Sequence, residues 1–131
     1  MGNRAVITFS ESRSTGVGIY LHWNGGLESV LAFLDGAKAR GFRDPASDPS
    51  YALARLCGLI HEFFGVRDSC SLGVGLLSSL HTNNWDNGVY VVGKDWAIVD
   101  RWGKGFDHGR ELADLSGERR IQYDEILASL R

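Results

Sequence analysis

The stretch from His81 to Trp102, HTNNWDNGVYVVGKDWAIVDRW, begins as a loop dense in side-chain amides and becomes an apolar hairpin. Gly88 to Val92 and Trp96 to Arg101 are β-branched and aromatic runs joined by Gly93-Lys94-Asp95. Runs of that kind fit a pleated, half-buried surface, so they commit the chain to a sheet. With Gly93 to Asp95 as the loop, Val92 faces Trp96 and Tyr90 faces Ile98 across the pair. Side chains alternate along a strand, which puts Val89, Val91, Ala97 and Val99 on an aliphatic face suited to helix packing. The aromatic face, with Asn83-Asn84-Trp85-Asp86-Asn87 at its edge, is then the expected working surface.

Ahead of this hairpin the pattern supplies two more strands and two helices. Arg4 to Phe9 reads as a first strand. Val17 to Trp23 reads as a second, with Val17, Ile19, Leu21 and Trp23 on one face and Tyr20 and His22 on the other. Asn24-Gly25-Gly26 breaks it. Leu27, Val30, Leu31 and Leu34 then recur at helical spacing, predicting a helix over Leu27–Arg40 that Gly41 stops. Asp48-Pro49 is a helix start, with Asp as N-cap and Pro in the first turn. The second helix runs from Pro49 to Phe64, with a buried stripe of Leu53, Leu56, Cys57, Ile60 and Phe64. Ser71 to Leu77 reads as a further strand, Gly103 to Gly117 is poorly patterned, and Tyr123 to Leu130 closes the chain as a short helix. The order lacks regular strand–helix alternation. It predicts a single α+β domain, a mostly antiparallel sheet of about five strands with two helices on one face. Leu31, Leu34, Leu56, Ile60, Val91 and Val99 are its expected core.

A chain of 131 residues can bury a sizeable core without metals or disulfides. Its net charge of −2 gives no electrostatic case for holding a nucleic-acid backbone. Of its two cysteines, Cys57 falls on the apolar side of a helix and Cys70 in a Ser-rich strand approach; with no CxxC, both read as reduced structural thiols. Gly73-Val74-Gly75 lacks the third glycine and the following helix of a dinucleotide loop. Met1-Gly2 lacks the Ser or Thr at position 6 that myristoylation needs, since Val6 stands there. No signal peptide or membrane-spanning run is read, so the expected setting is the cytoplasm.

Two segments share a design: His22-Trp23-Asn24-Gly25-Gly26 and Asn84-Trp85-Asp86-Asn87-Gly88 each set a tryptophan beside amides at a seam between strand and loop. Asn-Gly is turn chemistry, because both residues tolerate positive φ, and each Trp can lid a core. The functional alternative is one recognition patch of His22, Trp23, Asn24, Asn84, Trp85, Asp86 and Asn87. There aromatic bodies supply contact area and amides supply directional bonds. His22 to Asn24 closes the second strand and Asn84 to Asn87 opens the fourth, so an antiparallel neighbour relation would bring the two segments together at one sheet edge. An enzymatic variant has His22 as general base paired with Asp86, in a pocket shared with Tyr20 and Asn24. No nucleophile signature accompanies it. His61, His81 and His108 lack metal-ligand spacing, and neither a metal nor a cofactor is called for.

The motifs Gly2 to Ile7 (GNRAVI), Gly18 to Gly26 (GIYLHWNGG) and Asn84 to Tyr90 (NWDNGVY) together resemble a set of small, functionally uncharacterised bacterial and prophage proteins. That resemblance implies a small accessory protein of phage or mobile-element origin and transfers no catalytic role. With the small size, the missing nucleophile signature and the slight acidity, the expected function is a non-enzymatic protein, monomer or homodimer, that binds and inhibits a host protein complex, of the anti-CRISPR kind. A small enzyme or a nucleotide- or small-ligand-binding domain is the alternative.

Overall fold

The computed structural model describes residues 2–65, 72–103 and 115–130. Strands β1 (Ala5–Thr8), β2 (Val17–Leu21), β3 (Leu72–Leu76), β4 (Val89–Val92) and β5 (Ile98–Trp102) form one sheet in the order β3-β2-β1-β4-β5. Three ladders are antiparallel, and β1 pairs with β4 in parallel. With helices α1 (Leu27–Ala39), α2 (Pro49–Phe64) and α3 (Gly117–Ser129), the architecture is the expected α+β arrangement. Among the described residues no helix is long and apolar enough to cross a membrane. Cys70, Ser71, His108 and most of the unpatterned stretch before α3 lie outside the described residues.

The two central strands are buried along their whole length, as near-continuous apolar runs require. Ala5, Ile7, Ile19, Leu21, Tyr90 and Val92 face the helices, where Val30, Phe33, Leu34, Leu56, Leu59 and Ile60 close the main core. Val6, Val89, Val91, Trp102 and Leu77 form a smaller cluster on the opposite face. Asp48 caps α2 by accepting from the Tyr51 N–H at 3.2 Å, with Pro49 in the first turn. Gly65, at φ 90°, stops it.

The central hairpin departs from its expected register. Lys94–Trp96 forms a single 3-10 turn with Asp95 and Trp96 left-handed, and the strand resumes with Val92 opposite Ile98. A bulge at Val91/Val92 then changes the pairing again, so Tyr90 lies opposite Arg101. Trp96 leaves the strand, packs its ring on Phe9 at 5.7 Å and donates to the Phe42 carbonyl. The helix-facing side of β4 is accordingly Tyr90 and Val92, where Val89 and Val91 were expected. Tyr90 can be buried there because its hydroxyl donates to the Gly25 carbonyl at 2.7 Å, giving its polar end a partner. Val99, expected in the core, is 57% exposed on the edge strand, and Leu31 is only partly buried. The other four expected core residues are buried.

The last helix starts at Gly117, six residues earlier than apolar spacing indicates, because polar contacts dock its first half. Arg119 pairs with Glu28 of α1 at 3.2 Å, and the Tyr123 hydroxyl donates to Asp35. At the far end the Arg40 guanidinium donates twice to the Leu130 carbonyl, at 3.0 and 2.8 Å.

Leu56→Ala should cost about 2–5 kcal/mol in chemical denaturation, since the side chain is fully buried. Tyr123 supplies an alkaline signature. Burial first, then the bond to Asp35 and its negative charge, push the phenol up to about 12. A raised pKa contributes stability fully present below the unfolded value near 10 and lost as pH rises through 12. Tyr123→Phe should therefore be less stable than the parent at neutral pH and show a smaller loss between those limits. A parallel decline of both proteins would detach α3 from this account.

Candidate functional site

Backbone ties make Asn3 and Arg4 the frame on which both tryptophan segments hang. Asn3 donates its N–H to the His22 carbonyl at 2.9 Å and accepts from the Gly25 N–H at 2.7 Å. On the other side Asn87 donates its N–H to the Arg4 carbonyl at 3.1 Å. Its side-chain amide reaches the Asn3 amide oxygen at 2.6 Å and the Arg4 carbonyl at 3.0 Å. The two segments thus meet at one end of the sheet, as expected, but they are not neighbours: β1 lies between β2 and β4. Because β4 runs parallel to β1 and β2 antiparallel to it, the start of one and the end of the other fall together.

Gly25 is required by this junction. A β-carbon there would lie 2.5 Å from the Asn3 carbonyl oxygen and 2.7 Å from the Ala5 β-carbon. Asn84 organises the second segment. Its fully buried side-chain oxygen accepts from the N–H groups of Asp86, Asn87 and Gly88 at 3.0–3.2 Å. Its NH2 donates to the His81 and Gly88 carbonyls at 3.1 and 3.2 Å. Such saturation of a buried amide fixes a loop rather than recognising a ligand. Asn87 serves the same frame. Both asparagine side chains thus spend their hydrogen bonds within the frame.

Asp86 is a latch on the frame. One carboxylate oxygen accepts from the Arg4 N–H at 3.0 Å and from its guanidinium at 2.8 Å. Desolvation, the largest single influence, raises the carboxyl, but the bonds and charge of Arg4 together outweigh it and hold the group below the usual carboxylate range. His22 is bonded elsewhere: its Nδ1 lies 3.0 Å from the Tyr20 hydroxyl and its ring meets Trp23 edge-on. Burial is the main influence pushing the Tyr20 phenol up. The geometry therefore gives two adjacent polar pairs, His22–Tyr20 and Asp86–Arg4, in place of a His22–Asp86 pair.

The tryptophans are presented outward. Trp23 is 46% exposed and walls a cleft of about 370 Å³ whose other lining includes Asn3, Asn24, Glu28, Glu125 and Ile126. Asn24, at φ 59°, donates its side-chain amide to the Ser29 hydroxyl at 3.1 Å. Trp85 is 66% exposed at the tip of the loop held by Asn84. Chemically the end of the sheet offers apolar aromatic area, carboxylate and amide groups around the cleft, and a rigid backbone. Among the described residues no three His, Cys, Asp or Glu side chains gather as metal ligands would.

Sequence reasoning singled out the amides and missed the residues they serve. Asn3 and Arg4 were visible only as part of a motif. Arg101, also missed, is buried, stacks over the Tyr90 ring at 4.1 Å and donates to the Asn87 carbonyl at 2.8 Å. No family model, curated protein or solved structure matches the chain.

Asp86→Asn should destabilise the protein at neutral pH. A depressed folded-state pKa contributes stability that is present above the unfolded value, about 4, and lost as pH falls through the folded one. The difference between parent and variant in urea midpoints should then shrink below about pH 4. A constant difference down to strong acid would remove the latch role.

Proposed function

We propose that this chain is a cytoplasmic, non-enzymatic binding protein of phage or mobile-element origin that docks on a host protein complex through the Trp23–Trp85 end of its sheet and inhibits it. The observation that carries the reading is the contrast between two tryptophans in the same backbone state. Trp85 and Trp96 both have left-handed φ, at 64° and 62°. For a bulky residue that conformation costs about 1–3 kcal/mol. Trp96 offsets the strain by burying its ring to 4% exposure in the core, whereas Trp85 leaves 66% of its surface to solvent. A strained, solvent-facing indole on a loop that a saturated buried amide holds rigid is suited to a preorganised contact. The paired bonds of His22 and Asp86, each to a different partner, support binding over general-base chemistry.

A second reading, a small-ligand pocket, draws on the cleft beside Trp23, whose volume falls in the range of small-molecule sites. The two are separated by one comparison. Trp85→Ala should abolish retention of a host complex by the immobilised protein and leave the melting temperature within about 1–2 °C of the parent. Loss of stability without loss of retention would return Trp85 to a structural role. A nucleotide or metabolite that raises the melting temperature of both proteins equally would favour the pocket.

A further inference from the structure

We propose that the chain self-associates as a two-fold dimer in which β3 pairs antiparallel with β3 of a second copy and α2 packs against its counterpart across the same axis. β3 is an edge strand, and among the described residues no strand pairs with its outer side. Natural edges are blunted by charge, proline or a bulge, because an open ladder recruits another strand. Leu72-Gly73-Val74-Gly75-Leu76 has none of these. It is also a palindrome. Pairing it with itself about Val74 sets Leu opposite Leu, Gly opposite Gly and Val opposite Val, the self-complementarity an isologous contact requires.

The glycines point the same way. Gly73 and Gly75 lie outside the positive-φ region, and an added β-carbon would meet only ordinary contacts, at 3.8 Å from Tyr20 and 3.5 Å from Leu80. A β-carbon on Gly58, in the middle of α2, would meet nothing within 4 Å among the described residues. A mid-helix glycine costs about 1 kcal/mol against alanine, and no packing contact among the described residues accounts for it. With Ser50 and Ala54 it forms an exposed row at i, i+4 and i+8, along which a second helix can approach closely.

The surface between the two elements is apolar. Val74 and Leu76 are each 56% exposed, Val17 lies beside them, and Val74 shares a groove of about 460 Å³ with Leu53, Cys57 and Gly58. Leu53 and Cys57, expected within the buried stripe of α2, are only partly buried because the stripe centres on Leu56, Leu59 and Ile60. A five-residue strand pair by itself falls short of the roughly 800 Å² per partner of a standard interface. The α2 face extends the contact towards that size. Symmetry then closes the assembly at two copies, because pairing uses up the only edge of this pattern among the described residues.

Sedimentation of the full chain over a concentration series tests this directly. The parent should shift from monomer to dimer, and Val74→Lys, which sets two ammonium groups opposite each other, should weaken association at least about a hundredfold. Because Val74 is half-exposed, that variant should melt like the parent at low concentration. With a mild added oxidant such as oxidised glutathione to accept the two electrons, Val74→Cys should form a disulfide between the two introduced thiols, since directly opposed strand residues have α-carbons within bridging distance. A parent that stays monomeric up to about 1 mM, or a dimer that Val74→Lys leaves intact, would overturn the proposal.

Discussion

The constraint on which the rest depends is that the first backbone groups of β1 must be satisfied from both sides at once. A buried N–H or carbonyl without a partner costs about as much as a lost hydrogen bond. Here the partners on either side come from distant parts of the chain, the end of β2 and the loop before β4. The loop can present its half of the ladder only because the Asn84 amide has already gathered three N–H groups into one conformation. The Arg4–Asp86 pair and the Tyr90 and Arg101 bonds to Gly25 and Asn87 then draw the neighbouring elements to the same point.

Much of this was legible wherever a residue's own chemistry decides its structure. Helical spacing located α1 and α2, and Asp48-Pro49 placed the start of α2 at the observed residue. Alternation in the second strand put Val17, Ile19, Leu21 and Trp23 on one face, of which the structure buries Ile19 and Leu21 and leaves Val17 and Trp23 exposed. What failed were decisions made between elements. The hairpin loop was expected to end at Asp95, but Trp96 finds a better environment against Phe9 than in the strand, and that tertiary preference moves the register. The start of α3 was invisible because its anchoring residues, Arg119 and Glu28, are 91 positions apart and carry no apolar period.

The candidate site shows the same division. That the two Trp-amide segments converge could be inferred from where the strands end, though the intervening β1 could not. Which amides are structural depended on counting hydrogen bonds, and Asn84 alone has five. Its neighbour Trp85 differs in kind: its backbone is left-handed and two thirds of the residue stays exposed.

The parallel pairing of β1 with β4 also has a bearing on how the chain comes to be folded. β1 is made before the other four strands of the sheet and soon finds β2 through a short local connection. Its other side stays open until more than eighty further residues have been made. Closing so long a loop is entropically slow, and non-local strand pairing is the ordinary cause of slow folding. The nascent chain must therefore hold the apolar run Ala5 to Ile7 with one unpaired edge until β4 has been made. The earliest strand to be born is the last to be enclosed, and a chaperone that recognises extended apolar segments would find its longest-lived target there.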